Sequence, residues 1–412
     1  MTVRCLERSQ LIRAATVTAL AASVAWLPAQ TVHQVGPGAL PQIADAITIA
    51  SPGDIIEVAS GAYRTFTCDK ALTITAAPLA QVEIYPDFGF NVPPTVFQVP
   101  PAQSARVQGL HFRSLSFIQL SEVHVLSGTV CFEGCRWTGA LTVDQLLNVD
   151  SAACWLRDCE LTVGNVAYDI PALRATNASI AAVDCEFHGG HLLPDGWLGA
   201  GAGIDASNTS LHLTRCDVVG GNTNIFSCFY PAGDAVRTDR GDLCWLADSQ
   251  LQGGTAACNL SGGGAGLRNT STAAVKLTRT TVIGGPGGTV VTAVIGPTAP
   301  GQLLGLANPA PEPLLAAPFQ VDYLTEPNET LFVFASFELD PMLPALTQET
   351  TWVPANSYLH VAVLAADSTG AATFATAVPN APGLRHTGIW LHAAALAASP
   401  FRVAAPVGGV LR

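Results

Sequence analysis

Phe132-Glu-Gly-Cys135-Arg-Trp137, Leu156-Arg-Asp-Cys159-Glu-Leu161, Ala182-Val-Asp-Cys185-Glu-Phe187, Leu213-Thr-Arg-Cys216-Asp-Val218, Leu246-Ala-Asp-Ser249-Gln-Leu251 and Leu277-Thr-Arg-Thr280-Thr-Val282 are six versions of one phrase. An apolar residue leads into two mostly polar ones, a small residue, a variable one and a second apolar residue. The small residue is Cys four times, then Ser249 and Thr280. Steps between the small residues are 24, 26, 31, 33 and 31 residues. Periods in this range mark stacked repeats. Their inequality excludes a helical solenoid of fixed helix lengths and suits coils whose loops vary.

Each unit holds short strands of alternating apolarity, such as Ser210-Leu-His-Leu, then a polar turn, a second strand and often Gly-Gly. No unit has room for a capped three-turn helix, so the pattern predicts coils of short strands stacked as parallel sheets about 4.8 Å apart. Cys135, Cys159, Cys185 and Cys216 then form an inward ladder, continued by Ser249 and Thr280. A second register runs through Leu147-Asn-Val-Asp-Ser151, Leu173-Arg-Ala-Thr-Asn177, Ile204-Asp-Ala-Ser-Asn208, Val236-Arg-Thr-Asp-Arg240 and Leu267-Arg-Asn-Thr-Ser271. Asn177 and Asn208 fall at one point, where a left-handed turn residue is wanted. Both lie in Asn-x-Ser sequons, which turn chemistry explains.

This pattern resembles the right-handed parallel β-helix superfamily, the pectin-lyase-like fold that includes NosD-like periplasmic repeats, in which an inward Asn often stands where Cys stands here. The resemblance covers about residues 35–290 and specifies fold, not function, because the fold hosts lyases, hydrolases, epimerases, adhesins and inert stalks. Residues 39–63 resemble its usual opening: Ile43, Ile47 and Ala50 share a face of a short helix that covers the open end of the stack. Near the other terminus, Ala366-Asp-Ser-Thr-Gly370, Val378-Pro, Leu384 and Ile389-Trp-Leu-His-Ala resemble the C-terminal modules of exported planctomycete-type proteins, with His392 where Gln is expected. That resemblance implies sorting or attachment.

The fold expected is all-β, a parallel β-helix followed by a small β-sandwich. Residues 1–29 read as a signal peptide: Arg4, Arg8 and Arg13 precede the apolar run Ala14 to Ala25, which is too short to span a membrane. Residues 30–296 form the β-helix with its helical cap, 297–318 a Pro-rich linker and 319–412 the sandwich. Residues 78–105, rich in Pro, read as an irregular excursion. Only 12% of the 412 residues are charged against 49% apolar, as a long core of stacked coils requires. The location implied is secreted, periplasmic or cell-surface. Export permits disulfides; Cys228 and Cys258, in longer loops, are the best candidates, while Cys135 with Cys159 and Cys185 with Cys216 are geometrically possible. The absence of Cys-x-x-Cys disfavours zinc.

In carbohydrate-active members of the superfamily, substrate lies along the outer face of one sheet. The matching column here is Asn148, Arg174, Asp205, Arg237 and Arg268, with Asp150 and Asp239 two positions on; Arg174, Asp205, Arg237, Asp239 and Arg268 are the candidate catalytic groups. A ladder of mutually satisfied charges explains the same residues. Glu160, Glu186 and Asp217 make a more acidic column that Ca²⁺ can relieve, or that solvent alone can. His188, His191 and Trp197 gather in a Gly-rich loop with Asp195, and Trp155 and Trp245 take equivalent outward positions three coils apart; these five are candidate glycan contacts.

The polygalacturonase marks Asp-Asp, Gly-His-Gly and Arg-Ile-Lys are absent, which favours a lyase over a hydrolase if the chain is an enzyme. A net charge of -12 argues against nucleic acid. Two readings compete. The first is an exported protein that binds or processes an extracellular glycan. The second is a non-enzymatic surface rod held to the cell envelope through its C-terminal module. Mutually paired charges along the Arg174–Arg268 column favour the second, unpaired convergent ones the first.

Overall fold

Coil shape is set at a corner where a residue in the left-handed region precedes each ladder position: Gly134, Asp158, Asp184, Arg215, Asp248 and Arg279 have φ between 47° and 58°. This backbone is unfavourable for a residue with a Cβ. Each ladder side chain beyond it recovers energy by bonding to carbonyls. The Cys159 thiol donates to Arg157 O at 3.2 Å and, in the coil before, to Phe132 O at 3.6 Å. Cys216 does the same with Thr214 O and Ala182 O, and the Thr280 hydroxyl with Thr278 O and Leu246 O. Ser249 Oγ also accepts from Cys216 N at 3.0 Å. A second left-handed corner holds Ser151, Asn177 and Asn208, as the repeated Asn predicts.

In the computed structural model, residues 30–86, 93–113, 123–139, 141–142, 146–166, 169–193, 199–224, 230–258, 261–287, 292–301, 304–308, 312–337, 339, 351–352, 358–381, 384–385, 387–395, 401–404 and 406–411 are described. The expected signal peptide lies outside them. Among them, three parallel sheets of eleven, nine and nine strands stack in register. The first begins at Val32–Val35 and ends at Thr298–Pro300, the second runs from Gly61–Arg64 to Thr281–Ile283, and the third from Thr67–Cys68 to Val294–Ile295. The stretch 78–105, expected to be irregular, instead carries the regular strands Val82–Tyr85, Thr95–Gln98 and Ser104–Gln108. Its prolines fall between strands, where no ladder donor is needed.

The ladder cysteines are buried and free, so neither Cys135–Cys159 nor Cys185–Cys216 forms a bridge. Burial raises the thiols of Cys135 and Cys185. Cys258 is disulfide-bonded; its expected partner Cys228 lies outside the described residues. Helix Ile43–Ile49 covers the first coil through Ile43, Ala46 and Ile47. Lys70 Nζ closes its C-terminal end by donating to Ile47 O at 2.7 Å and Ala50 O at 2.9 Å.

Between the second and third sheets, three successive coils carry longer loops, and glycine closes each. Gly201 N donates to Gly190 O, Gly221 N to Gly201 O, Gly233 N to Gly221 O, Gly254 N to Gly233 O, Gly264 N to Gly254 O and Gly285 N to Gly264 O, at 2.8–2.9 Å. The two sides of the neck thus interlock along the rod axis. A Cβ at Gly221 would stand 1.9 Å from Gly190 O, so no other residue fits.

Beyond Pro300 the strands turn antiparallel, forming a three-stranded and a five-stranded sheet around one apolar cluster. Strand Gly388–Ala395 is buried along its whole length. Its Ile389, Leu391, Ala393 and Ala395 enter that cluster, while Trp390 meets Trp155 edge-on at 6.1 Å on the outer face of the first β-helical sheet. Arg106 donates to Phe337 O at 2.9 Å and lies over Trp390. Arg157, buried and paired with Glu133, donates to Gly408 O. The C-terminal unit is therefore docked along the rod.

His212 and His392 are buried at this junction, and burial holds them at about 3 and about 4. His212 stacks on Trp245 at 4.4 Å, and neither ring nitrogen of His392 has a hydrogen-bond partner among the described residues. Both values lie below the ordinary 6.5, so unfolding takes up protons as pH falls through that window. Stability is whole above about pH 6.5 and is lost toward pH 3–4. Thermal unfolding followed between pH 7 and 4 will show this loss, and His392→Leu will flatten it. Gly221→Ala will cost about 3 kcal/mol or more in denaturant unfolding, whereas Gly134→Asn, at an open left-handed position, will change stability by less than about 1 kcal/mol.

Candidate functional site

The third sheet brings the expected column into one line: Asn148 pairs with Arg174, Arg174 with Asp205, Asp205 with Arg237 and Arg237 with Arg268. Two acids unseen in the repeat complete it. Arg237 Nη1 lies 3.1 Å from Asp169 Oδ2 and 3.9 Å from Asp205 Oδ2, and its Nε is 3.4 Å from Asp234 Oδ2. Arg268 takes Asp234 with both arms, Nε to Oδ2 at 2.6 Å and Nη2 to Oδ1 at 3.0 Å, while Ala265 N donates to Oδ1 at 2.8 Å. Asp234 is 2% exposed. It follows Gly233, at the foot of the glycine neck, so the loop closure fixes where this charge sits.

Burial raises the Asp205 carboxyl despite Arg237 and Arg174 nearby. Asp169 Oδ1 is buried and has no hydrogen-bond partner among the described residues. Asp239, further along, accepts from Ser207 Oγ at 2.7 Å and Asn208 N at 2.6 Å, which holds the left-handed corner. Among the described residues, Arg237 and Arg268 are both spent inside the chain, each on carboxylates of its own column or neck.

A signal for Asp234 existed. Counting back two residues from the strand starts Ile204, Val236 and Leu267 reaches Ala202, Asp234 and Ala265; both alanines are fully buried. An Asp in a column of buried alanines announces a partnered charge.

The remaining candidates are scattered. Trp155 and Trp245 do occupy equivalent positions of the first sheet, but they are closed as sugar platforms. They are 1% and 4% exposed beneath the C-terminal unit, and Trp245 Nε1 donates to Thr278 Oγ1 at 3.1 Å. Continuous apolar runs such as Cys154-Trp155-Leu156 and Ala181-Ala182-Val183 are the mark of strands covered on both faces. His188 lies 3.8 Å from Glu186, and His191 Nδ1 accepts from Asn222 N at 3.0 Å, its ring lowered by burial. Trp197 and Asp195 lie outside the described residues.

Glu160, Glu186 and Asp217 do align along the second sheet. Glu160 is bonded to Arg136 at 2.8 Å, and Asp184 and Asp248, one residue before the ladder, are bonded to Arg215 and Arg279. Among the described residues, no group of three or more His, Cys, Asp or Glu stands close enough to hold a metal ion. No helix among them is long and apolar enough to cross a membrane.

No family model matches the chain, and no curated protein is significantly similar to it. Among solved structures, it is similar to the enzymatically active domain of tailspike protein 2 of bacteriophage CBA120, at 10% identity over 90% of this chain and 73% of that one, with a TM-score of 0.27. So low a score leaves the folds unmatched in detail.

Replacing Asp234 with Ala will take from Arg268 the carboxylate that binds both its arms, and from Arg237 one of three carboxylates, leaving it Asp169 and Asp205. Both guanidiniums reach solvent, so the cost in denaturant unfolding will be about 2–3 kcal/mol, below that of breaking a fully buried pair. Asp239→Ala, on the exposed side, will cost less than about 1 kcal/mol.

Proposed function

We propose that this chain is an exported, non-enzymatic β-helical rod that presents its neck-closed loops at a surface. The observation that carries this reading is the use of its charges: Arg237 and Arg268 are held by Asp169, Asp205 and Asp234 of the same chain. Coverage of Trp155 and Trp245 supports it, since the two largest outward aromatic groups of the first sheet serve docking. The disulfide at Cys258 suits an oxidising compartment, as does the leader-like sequence of residues 1–29. In this reading, attachment to an envelope component rests with the loops or with the outer sheet of the C-terminal unit, because strand Gly388–Ala395 is already occupied.

A second reading, a groove for an acidic glycan, has one observation in its favour. Asp205, with its carboxyl raised, and Arg237 stand together beside Asp169 Oδ1, which has no hydrogen-bond partner among the described residues, and an acid beside a base is what lyase chemistry requires.

One experiment separates the two. The protein is incubated with a panel of acidic and neutral polysaccharides, with and without Ca²⁺, while unsaturated products are followed by ultraviolet absorbance and new reducing ends by colour. The rod predicts neither product, and polysaccharide binding unchanged within about twofold by Arg237→Ala, as for a charge spent on internal pairing. Unsaturated product lost in Arg237→Ala would establish the groove instead.

A further inference from the structure

Strand Leu359–Ala365 lies at the edge of the five-stranded sheet and, among the described strands, pairs with Thr330–Ser336 alone. Its sequence, Leu-His-Val-Ala-Val-Leu-Ala, has no formal charge at neutral pH with His uncharged, no proline and no glycine. None of its seven residues is buried. Val363 is 56% exposed and the adjoining Tyr358 is 47% exposed. Free edges are normally blunted by charge, proline or brevity, because their unpaired backbone groups recruit another strand. The far edge of the first β-helical sheet obeys that rule, ending at Thr298-Ala299-Pro300 with Pro297 before it. Strand Leu359–Ala365 does not.

Its two faces are not simply alternating. The register against Thr330–Ser336 shifts between Val333 and Phe334, so that Ala362 pairs with Val333, His360 pairs with Phe334, and Val361 is the extra residue of a bulge. Val361, Ala362 and Leu364 all pack toward the sandwich core. Tyr358, His360, Val363 and Ala365 take the other face, where the Phe334 ring lies 5.2 Å from Tyr358 and 5.6 Å from His360. Paired strands must match side for side. For this strand against an antiparallel copy of itself, one register does so throughout: Tyr358 opposite Ala365, Leu359 opposite Leu364, His360 opposite Val363 and Val361 opposite Ala362. A shift of one or two residues either way sets a core-facing residue against an outward one.

We propose that strand Leu359–Ala365 joins two copies of this chain, antiparallel, about a two-fold axis between Val361 and Ala362. A two-fold interface needs a self-complementary patch, and the bulge supplies it by placing the change of side at the axis. The uncharged edge brings no like charges together there, and the Phe332–Phe334 face runs on unbroken from one copy to the next. The inference does not depend on whether the third sheet meets a glycan.

The full chain is examined by light scattering after size exclusion and by sedimentation over a dilution series. A dimer is expected, and Val363→Lys, at an exposed position, should weaken self-association by about tenfold or more with an unchanged circular dichroism spectrum. Register is tested by cysteine pairs. The double variant His360→Cys with Val363→Cys should form an intermolecular disulfide under mild oxidation, and neither single variant should, because no residue faces its own copy. A monomer at every concentration overturns the proposal, whether the edge is then bare or holds a strand of another protein. A dimer indifferent to Val363→Lys, or cross-linked by a single variant, overturns it as well.

Discussion

Everything in the rod depends on one costly corner: a residue forced into the left-handed region, followed by a small side chain that turns inward and bonds to carbonyls. Asp158, Asp184, Arg215, Asp248 and Arg279 accept this backbone although glycine would adopt it more cheaply. Thiols and hydroxyls behind them bind both their own strand and the coil before. The corner thereby fixes coil size and coil register together. Sulfur makes weaker bonds than oxygen but fills the core better, and the change from Cys to Ser249 and Thr280 comes where the stack nears its end.

The charges follow from the same geometry. Stacking at one-coil spacing lines like positions up, and like charges repel there. Sign alternates along the later corners, where Asp184 meets Arg215 and Asp248 meets Arg279; Asp158 and Asp184 are the exception, two acids at successive corners, and burial with the nearby Asp184 charge raises the Asp158 carboxyl to about 6. On the third sheet the neck adds Asp234 from outside the repeat, and one buried carboxylate serves two guanidiniums. Arginines that look available in a column are in this way committed to neighbours that the column does not contain.

Much of the architecture was legible because the repeat carries it. The six phrases gave ladder, corner and register correctly, and the Asn148–Arg268 column is in the order its sequence implied. The unequal steps are now explained: the steps of 31, 33 and 31 residues contain the glycine necks, and those of 24 and 26 do not. What could not be read was anything made by contact between distant segments. Trp155 carries no mark saying that Trp390 will cover it, and the pairing of Arg157 with Gly408 O joins residues 251 apart. The prolines between residues 78 and 101 do not make that stretch irregular, because each stands between strands rather than within one. The candidate site was half legible, with its arginines in the repeat and Asp169 and Asp234 outside it.

The docked C-terminal unit bears on how the solenoid melts. A stack of coils that touch only their neighbours behaves as a one-dimensional chain and frays from its ends. Here Arg106, Glu133, Arg157, Val183, His212 and Trp245 belong to six successive strands of the first sheet, and the C-terminal unit lies against that face. It acts as a splint that couples those coils into a single cooperative block. The last coil, where Val282 and Ile295 are only partly buried and Ile283 is exposed, lies past the splint and is where fraying would begin.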